Sequence, residues 1–291
     1  RDELVNDAVF AHIFEPDAGD EESDPHTWHK VQPHMGITVY EDFYVSEYQK
    51  ALISADDALE FRTKLLNLFV QNTAKIWLSA SDIEALTKDI NIDKLANRPP
   101  CMVAVDLSVC DDFSAVTYML YSAASRSFHS HTDYYFPADA LPNHPNRELY
   151  EKWAKDGHLK LCKGNVIDYK QIVADILARN KAVKILGIGY DPYRSAEFVN
   201  MLSASGAKKI LTPVKQTYGT FTSPVESFEL AVKRGLMSFS PNPITYYCFG
   251  NAVLDEDRNE NKKPIKKTHN LKIDGAITNL MTFYLYNNIT Q

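Results

Sequence analysis

Cysteine is scarce: four stand in 291 residues, at 101, 110, 162 and 248, with no Cys-x-x-Cys pair and no Cys/His cluster at zinc spacing. That excludes a disulfide framework and a structural zinc, and the expectation is free thiols in a reducing compartment. Long apolar runs are missing too; none approaches the roughly 18–20 residues that span a bilayer. The chain opens at Arg1 on a polar, acidic stretch, which is no secretory signal and reads as a piece cut from a longer polypeptide. Nucleotide-binding and acyl-transfer signatures are also absent. There is no Gly-x-x-x-x-Gly-Lys-Ser/Thr loop to cradle a triphosphate. Gly187-Ile188-Gly189 lacks a third glycine and runs into Asp191-Pro192, so a dinucleotide fingerprint is unsupported. No Gly-x-Ser-x-Gly elbow presents a nucleophile. Net positive charge is lacking as well: the balance is −7, which argues against a protein that coats nucleic acid.

Core-forming residues, by contrast, are plentiful. With 16 Tyr, 14 Phe and 3 Trp, the chain is no disordered polymer. At roughly 100–200 residues per domain its length suits one large domain or two smaller ones. Charge is distributed unevenly. Residues 1–24 hold nine acids against one Arg, whereas Lys262, Lys263, Lys266, Lys267 and Lys272 fall within eleven residues that contain no acid. Local charge is what a polyanion feels.

Apolar spacing predicts one long helical stretch over 41–70. Asn-Arg-Pro-Pro at 97–100 removes backbone donors and disfavours helix, which places a linker there and a boundary near residue 95. The expected division is therefore 1–95 and 96–291. Beyond it, 101–107 (CMVAVDL) reads as a buried strand, and 114–121 and 126–136 as further β segments. Helices are expected over 147–155, 169–180 and 195–204, and a buried strand over 183–190. A strand follows at 208–213, then a helix capped by Ser223-Pro224. A polar turn at 255–261 separates two extended pieces, and the last helix, 273–286, carries one apolar stripe. Three antiparallel strands followed by alternating helices and strands describe a mixed α/β sheet covered by helices.

The residues left to carry chemistry are acids at the ends of apolar elements. In 101–108, Ala104, Asp106 and Ser108 share one strand face, where a carboxylate is costly unless paired or bound to metal. Asp191 follows the apolar run 185–190, at the strand end where open α/β sheets bind ligands. Asp274 opens the last helix. Each also has an ordinary role: Asp106 pairs with a core Arg or Lys, Asp191 forms a turn before Pro192, and Asp274 caps a helix. Together they suit hard cations such as Mg²⁺ or Mn²⁺. Three carboxylates at one sheet edge hold two ions about 3.5–4 Å apart, ready to activate water against a phosphodiester. His129 and His131 share a strand face, but no third ligand is near them in sequence; surface histidines are the expectation.

In their order along the chain, these acids resemble those of the ribonuclease H-like nucleases. More narrowly, the chain is similar to the carboxyl-terminal nuclease domain of the large terminase subunits of tailed bacteriophages. VAVDLSVCDDFSAV resembles that family's first acidic motif, GIGYDPYRSAEF its second, and the stretch from SPNP to KIDGAITNLM its most specific segment. Upstream, Asp24-Pro25-His26-Thr27-Trp28, Gln32-Pro33 (where the family more often has Asn-Pro) and Trp77 resemble the segment leaving the family's ATPase domain. The resemblance implies a ribonuclease H-like mixed sheet with flanking helices over 96–291, preceded by a mainly helical linker. It implies Asp106, Asp191 and Asp274 as ligands of two Mg²⁺ or Mn²⁺ ions, with Asp112 as an auxiliary ligand or a hairpin-turn acid. Lys262, Lys263, Lys266 and Lys267 become a basic hairpin gripping DNA phosphates, or else a solvated loop. The implied activity is an endonuclease cutting concatemeric viral DNA during packaging. The implied partners are double-stranded DNA, the portal or procapsid and the small terminase subunit, in the host bacterial cytoplasm and without a membrane. Motor activity is not carried over, because the Walker residues are absent. Two alternatives stay open: another ribonuclease H-like enzyme acting on junctions or hybrids, and a non-catalytic procapsid-docking module.

Overall fold

A computed structural model describes residues 13–17, 19–52, 55–68, 77–95, 97–108, 113–267 and 271–289. Asp112 lies outside the described residues, as do Cys110 and Asp111. The chain divides into two compact units, Arg1–Lys75 and Ile76–Gln291.

In the first unit, α1 (Pro25–Val31) begins with Pro at its first position, and the Asp24 side chain accepts from the His26 N–H. α2 (Glu41–Ala51) and α3 (Ala55–Glu60) follow, and the chain then widens into a π-turn over Phe61–Leu65. The single helix expected over 41–70 is therefore three pieces. The π-turn closes with Leu66 N–H on the Phe61 carbonyl, and Phe61 and Leu66 are buried with Trp28, Val31 and Tyr44. Burial of those side chains overrides simple helical continuation.

The second unit starts earlier than the proline-rich stretch suggests. Trp77, Leu78 and Ile83 are core residues of this unit, and the Trp77 indole N–H donates to Glu229 at 3.0 Å. α4 (Ala80–Ala85) is held by a Ser79/Asp82 capping box. Packing of the segment before Pro99 thus puts the division some twenty residues upstream of the boundary read from composition.

Then come β1 (Pro100–Asp106), β2 (Ser114–Ser122), β3 (Ser127–Pro137), α5 (Arg147–Lys155), β4 (Lys160–Cys162), α6 (Tyr169–Arg179), β5 (Lys184–Tyr190) and α7 (Ala196–Ala204). β6 (Leu211–Pro213), α8 (Tyr218–Lys233), β7 (Met237–Phe239), α9 (Pro243–Gly250), the β8–β9 hairpin (Ala252–Glu256, Lys262–Lys266) and α10 (Asp274–Ile289) complete the unit. The main sheet runs β4-β3-β2-β1-β5-β6. β1, β2 and β3 are antiparallel neighbours, β5 and β6 run parallel to β1, and β4 and β7 share the outer edge of β3. This is the mixed α/β sheet expected from the sequence.

Strand alternation sorts the faces. Cys101, Val103 and Val105 bury against α6 and α7, with Ile172, Ile176, Phe198 and Leu202. Met102 and Ala104 point the other way, into a core with Phe221, Phe228, Ile277 and Leu280. On that second face α10 crosses the sheet. It was expected to carry one apolar stripe, yet 273–283 are buried all round. Its polar side chains find partners inside: Thr278 meets Thr117 at 2.7 Å, and Asn279 accepts from Ser130 at 2.6 Å. α8 differs as well. It starts at Tyr218 under a Thr217 cap, and Pro224 sits inside it instead of opening it.

Candidate active site at the carboxyl end of the sheet

β1 and β5 are adjacent and parallel, with Val105 in register with Tyr190. Asp106, the last residue of β1, and Asp191, the first after β5, are the next residues along the two chains. Parity decides the face of Asp106. Ala104 and its partner Gly189 lie on the α10 side, and a Cβ on Gly189 would stand 3.2 Å from Leu285. Two residues on from Ala104, Asp106 returns to that side.

Asp274 is the first residue of α10 and is 9 % exposed. Its helix starts at the same end of the sheet. Next to it, Gly275 sits so close to Tyr134 that a Cβ there would overlap the phenol oxygen and stand 2.9 Å from Cζ. Tyr134 pairs across β3 with Ala115, and Ala115 across β2 with Asp106. Tyr134 is fully buried, and its hydroxyl meets Thr245 of α9 at 3.0 Å. The helix start thus rests on a fixed ring, and only glycine allows the approach.

Two neutral donors meet the acids. The Gln216 amide donates to Asp106 Oδ1 at 3.4 Å, and the Tyr193 N–H donates to Asp191 Oδ1 at 2.9 Å. Each bond orients a carboxylate and adds no positive charge. All-oxygen donors of this kind fit Mg²⁺ or Mn²⁺ better than softer metals. Among the described residues, no group of three or more His, Cys, Asp or Glu is placed to hold a metal ion. The parallel register thus ends one residue short of Asp106 and Asp191, and the Asp274 helix starts at the same end of the sheet.

The lysines sit on a formed hairpin. Asp257 organises its turn by accepting from the N–H groups of Asn259 and Asn261. Lys262 stands opposite Glu256, and Lys263 opposite Asp255. Directly opposed residues share a face, so acids temper these lysines. The Lys263 ammonium lies 4.5 Å from the Tyr218 ring centroid, and the Tyr218 hydroxyl donates to Asp255 at 2.5 Å. Tyr218 is two residues from Gln216, which ties the hairpin to the acid edge. Lys266 is paired in register with Ala252. Lys267 donates to the Gly250 carbonyl at 2.6 Å, closing the end of α9.

His129 is buried instead of on the surface, and His131 is half-buried. His129 contacts Ser238 and Ser240, and His131 contacts Ser240 and Asp133. Burial pushes His129 down to about 4, with His131 and Lys88 adding to the effect.

Sequence reading missed Gln216 and Tyr134. Gln216 carries no local signal, because its bond to Asp106 spans 110 residues. Gly275 left a trace: glycine in a first helical turn is about 1 kcal/mol worse than alanine, so it hints at a close approach.

The sequence model of the terminase large subunit, endonuclease domain, matches residues 3–288. Protein YmfN of Escherichia coli K12 is 28 % identical over 96 % of this chain and 63 % of its own length. The large terminase subunit of Enterobacteria phage HK97 is 24 % identical over 94 % of this chain and 54 % of its own. The crystal structure of the HK97 bacteriophage large terminase superposes with a TM-score of 0.64 at 22 % identity, covering 94 % of this chain and 56 % of that one. The chain thus spans just over half to three-fifths of the length of the curated relatives it matches.

Proposed function

This chain belongs to the terminase large-subunit family, within the endonuclease domain, and from that footing we propose that it is a divalent-metal-dependent DNA endonuclease that cuts concatemeric viral DNA during genome packaging. The observation that carries the proposal is the parallel register of β1 and β5, whose last pair, Val105 with Tyr190, stands one residue before Asp106 and Asp191, at the sheet end where α10 begins with Asp274. We assign these three as metal ligands and Asp112 as an auxiliary one. Bound there, two Mg²⁺ or Mn²⁺ ions supply an activated water and charge neutralisation at the departing 3′ oxygen.

The chain's own groups do the rest. Gln216 fixes the Asp106 carboxylate, and the Tyr193 N–H fixes one oxygen of Asp191. The Gly275–Tyr134 contact sets where Asp274 stands. Lys262, Lys263 and Lys266 approach DNA phosphates from the hairpin, with affinity that falls as salt rises. We propose that residues 1–95 are the tail of the ATPase domain and its helical linker. The proposed partners are duplex DNA, the portal or procapsid and the small terminase subunit, met in the host bacterial cytoplasm. No helix among the described residues is long and apolar enough to cross a membrane.

The competing docking-module reading draws on the absence of a three-ligand group among the described residues. Supercoiled plasmid with Mn²⁺ or Mg²⁺, and no ATP, separates the two. Nicked or linear product is expected, and Asp106→Ala, Asp191→Ala and Asp274→Ala should each slow it at least about 100-fold. Cutting retained by all three variants rejects the assignment. A preference for four-way junctions or RNA–DNA hybrids would favour another ribonuclease H-like enzyme.

A further inference from the structure

Directly after Asp191 the chain holds an aromatic ring and a cation out in solvent. Tyr193 is 68 % exposed, more than any other large apolar side chain described in the second unit. Its backbone N–H is tied to the Asp191 carboxylate, so its position is fixed relative to the acid edge. The Arg194 guanidinium lies 5.0 Å from the centroid of the Tyr193 ring. Arg194 has φ +56°, in the left-handed region that glycine and asparagine enter more easily. Arg194 is exposed, and its guanidinium lies over the Tyr193 ring. Lys262 and Lys263 of the hairpin, by contrast, stand opposite Glu256 and Asp255.

We propose that Tyr193 and Arg194 form a strand-gripping pair that holds the DNA backbone beside the cut. The guanidinium takes a phosphate through paired N–H donors, and the ring packs against the sugar and base of the same strand. Strain at an exposed arginine is then retained for binding. The pair makes no base-edge contact, so it positions DNA of any sequence. The proposal rests on the nuclease reading for the place of the cut, but its test does not use cleavage.

The chain is titrated against a short fluorescein-labelled duplex in EDTA, over a series of salt concentrations. Arg194→Asn keeps a residue tolerant of the left-handed backbone and removes the charge. It should raise Kd roughly five- to tenfold and reduce the log–log salt slope by about one. Arg194→Lys should keep the slope and lose part of the affinity. Tyr193→Ala should weaken binding about threefold or more, and Tyr193→Phe should leave it nearly unchanged. Melting temperatures should stay level, or rise for Arg194→Asn as strain is relieved. A wild-type Kd and slope in Arg194→Asn would overturn the proposal, as would affinities that track melting temperature instead of charge. Should the wild-type chain fail to cut plasmid while these variants still lose affinity, the nuclease reading falls and the grip stands. Should it cut while binding is untouched, the grip alone falls.

Discussion

Two carboxylate sites share this sheet and differ in their surroundings. At Asp133, 8 % exposed, the chain supplies every counter-charge itself. Arg179 donates at 2.5 Å, Lys160 stands at 3.2 Å and His131 at 3.3 Å. Arg179 also forks onto Asp93, and Lys160 reaches Asp175. Burial alone would raise the Asp133 carboxyl; the His131 hydrogen bond and the Arg179 charge hold it well below the usual carboxylate range. At the other site, Asp191 receives a main-chain N–H and Asp106 a neutral amide. A carboxylate whose cations are built in is structural. We propose that Asp191, bound by a main-chain N–H, takes its cation from outside.

The contrast is open to direct attack, beginning with the compensated cluster. Asp133→Asn leaves Arg179 and Lys160 with less counter-charge in a buried setting. Urea denaturation should show a loss of about 3–5 kcal/mol, with metal-dependent cutting by the remaining folded protein unchanged. Asp191→Asn should do the reverse, shifting stability by no more than about 0.5 kcal/mol and removing cutting. Equal stability losses in the two variants would erase the distinction.

His129 tests the same buried side by pH. Its folded value is about 4 and its ordinary value 6.5, so the unfolded chain binds more protons between them. Stability is therefore full above pH 6.5 and falls as pH drops toward 4, by up to about 3 kcal/mol. Asp133, held low, loses its contribution only at more acid pH. His129→Gln should flatten the slope between pH 4 and 6.5; a slope that survives assigns it elsewhere.

Gly275→Ala should cost about 1–3 kcal/mol through overpacking against Tyr134, and should slow cutting by moving Asp274. Tyr134→Phe removes the overlapping oxygen and should restore part of both losses in the double variant. Additive losses would mean the two residues do not meet as described. The smallest effect is at Lys267, whose ammonium closes the end of α9. Lys267→Ala should lower stability by about 0.3–1 kcal/mol and leave DNA affinity nearly level, whereas Lys262→Ala should change affinity more than stability.

Much of this was legible in the chain. The strands at 100–106, 114–122, 127–137 and 184–190 are apolar runs bounded by polar turns, and such runs have few alternatives. The ends of those runs exposed Asp106 and Asp191. Less legible were features set by contacts across long sequence distances. The α10 helix reads as amphipathic, but Thr278 and Asn279 are satisfied by Thr117 and Ser130, about 150 residues away. Pro224 reads as a helix start, yet Thr217 caps the helix about two turns earlier. The histidines read as surface residues because the serines that absorb them, Ser238 and Ser240, come from a strand end about 110 residues on. The hairpin lysines read as a basic patch until register sets Asp255 and Glu256 opposite two of them.

The most direct test of the central claim is an anomalous difference map from a crystal of this chain soaked in manganese. Two peaks among the carboxylates of Asp106, Asp191 and Asp274, with reduced or absent peaks in Asp191→Asn, are the predicted result. Ordered carboxylates at that edge with no manganese between them would contradict it.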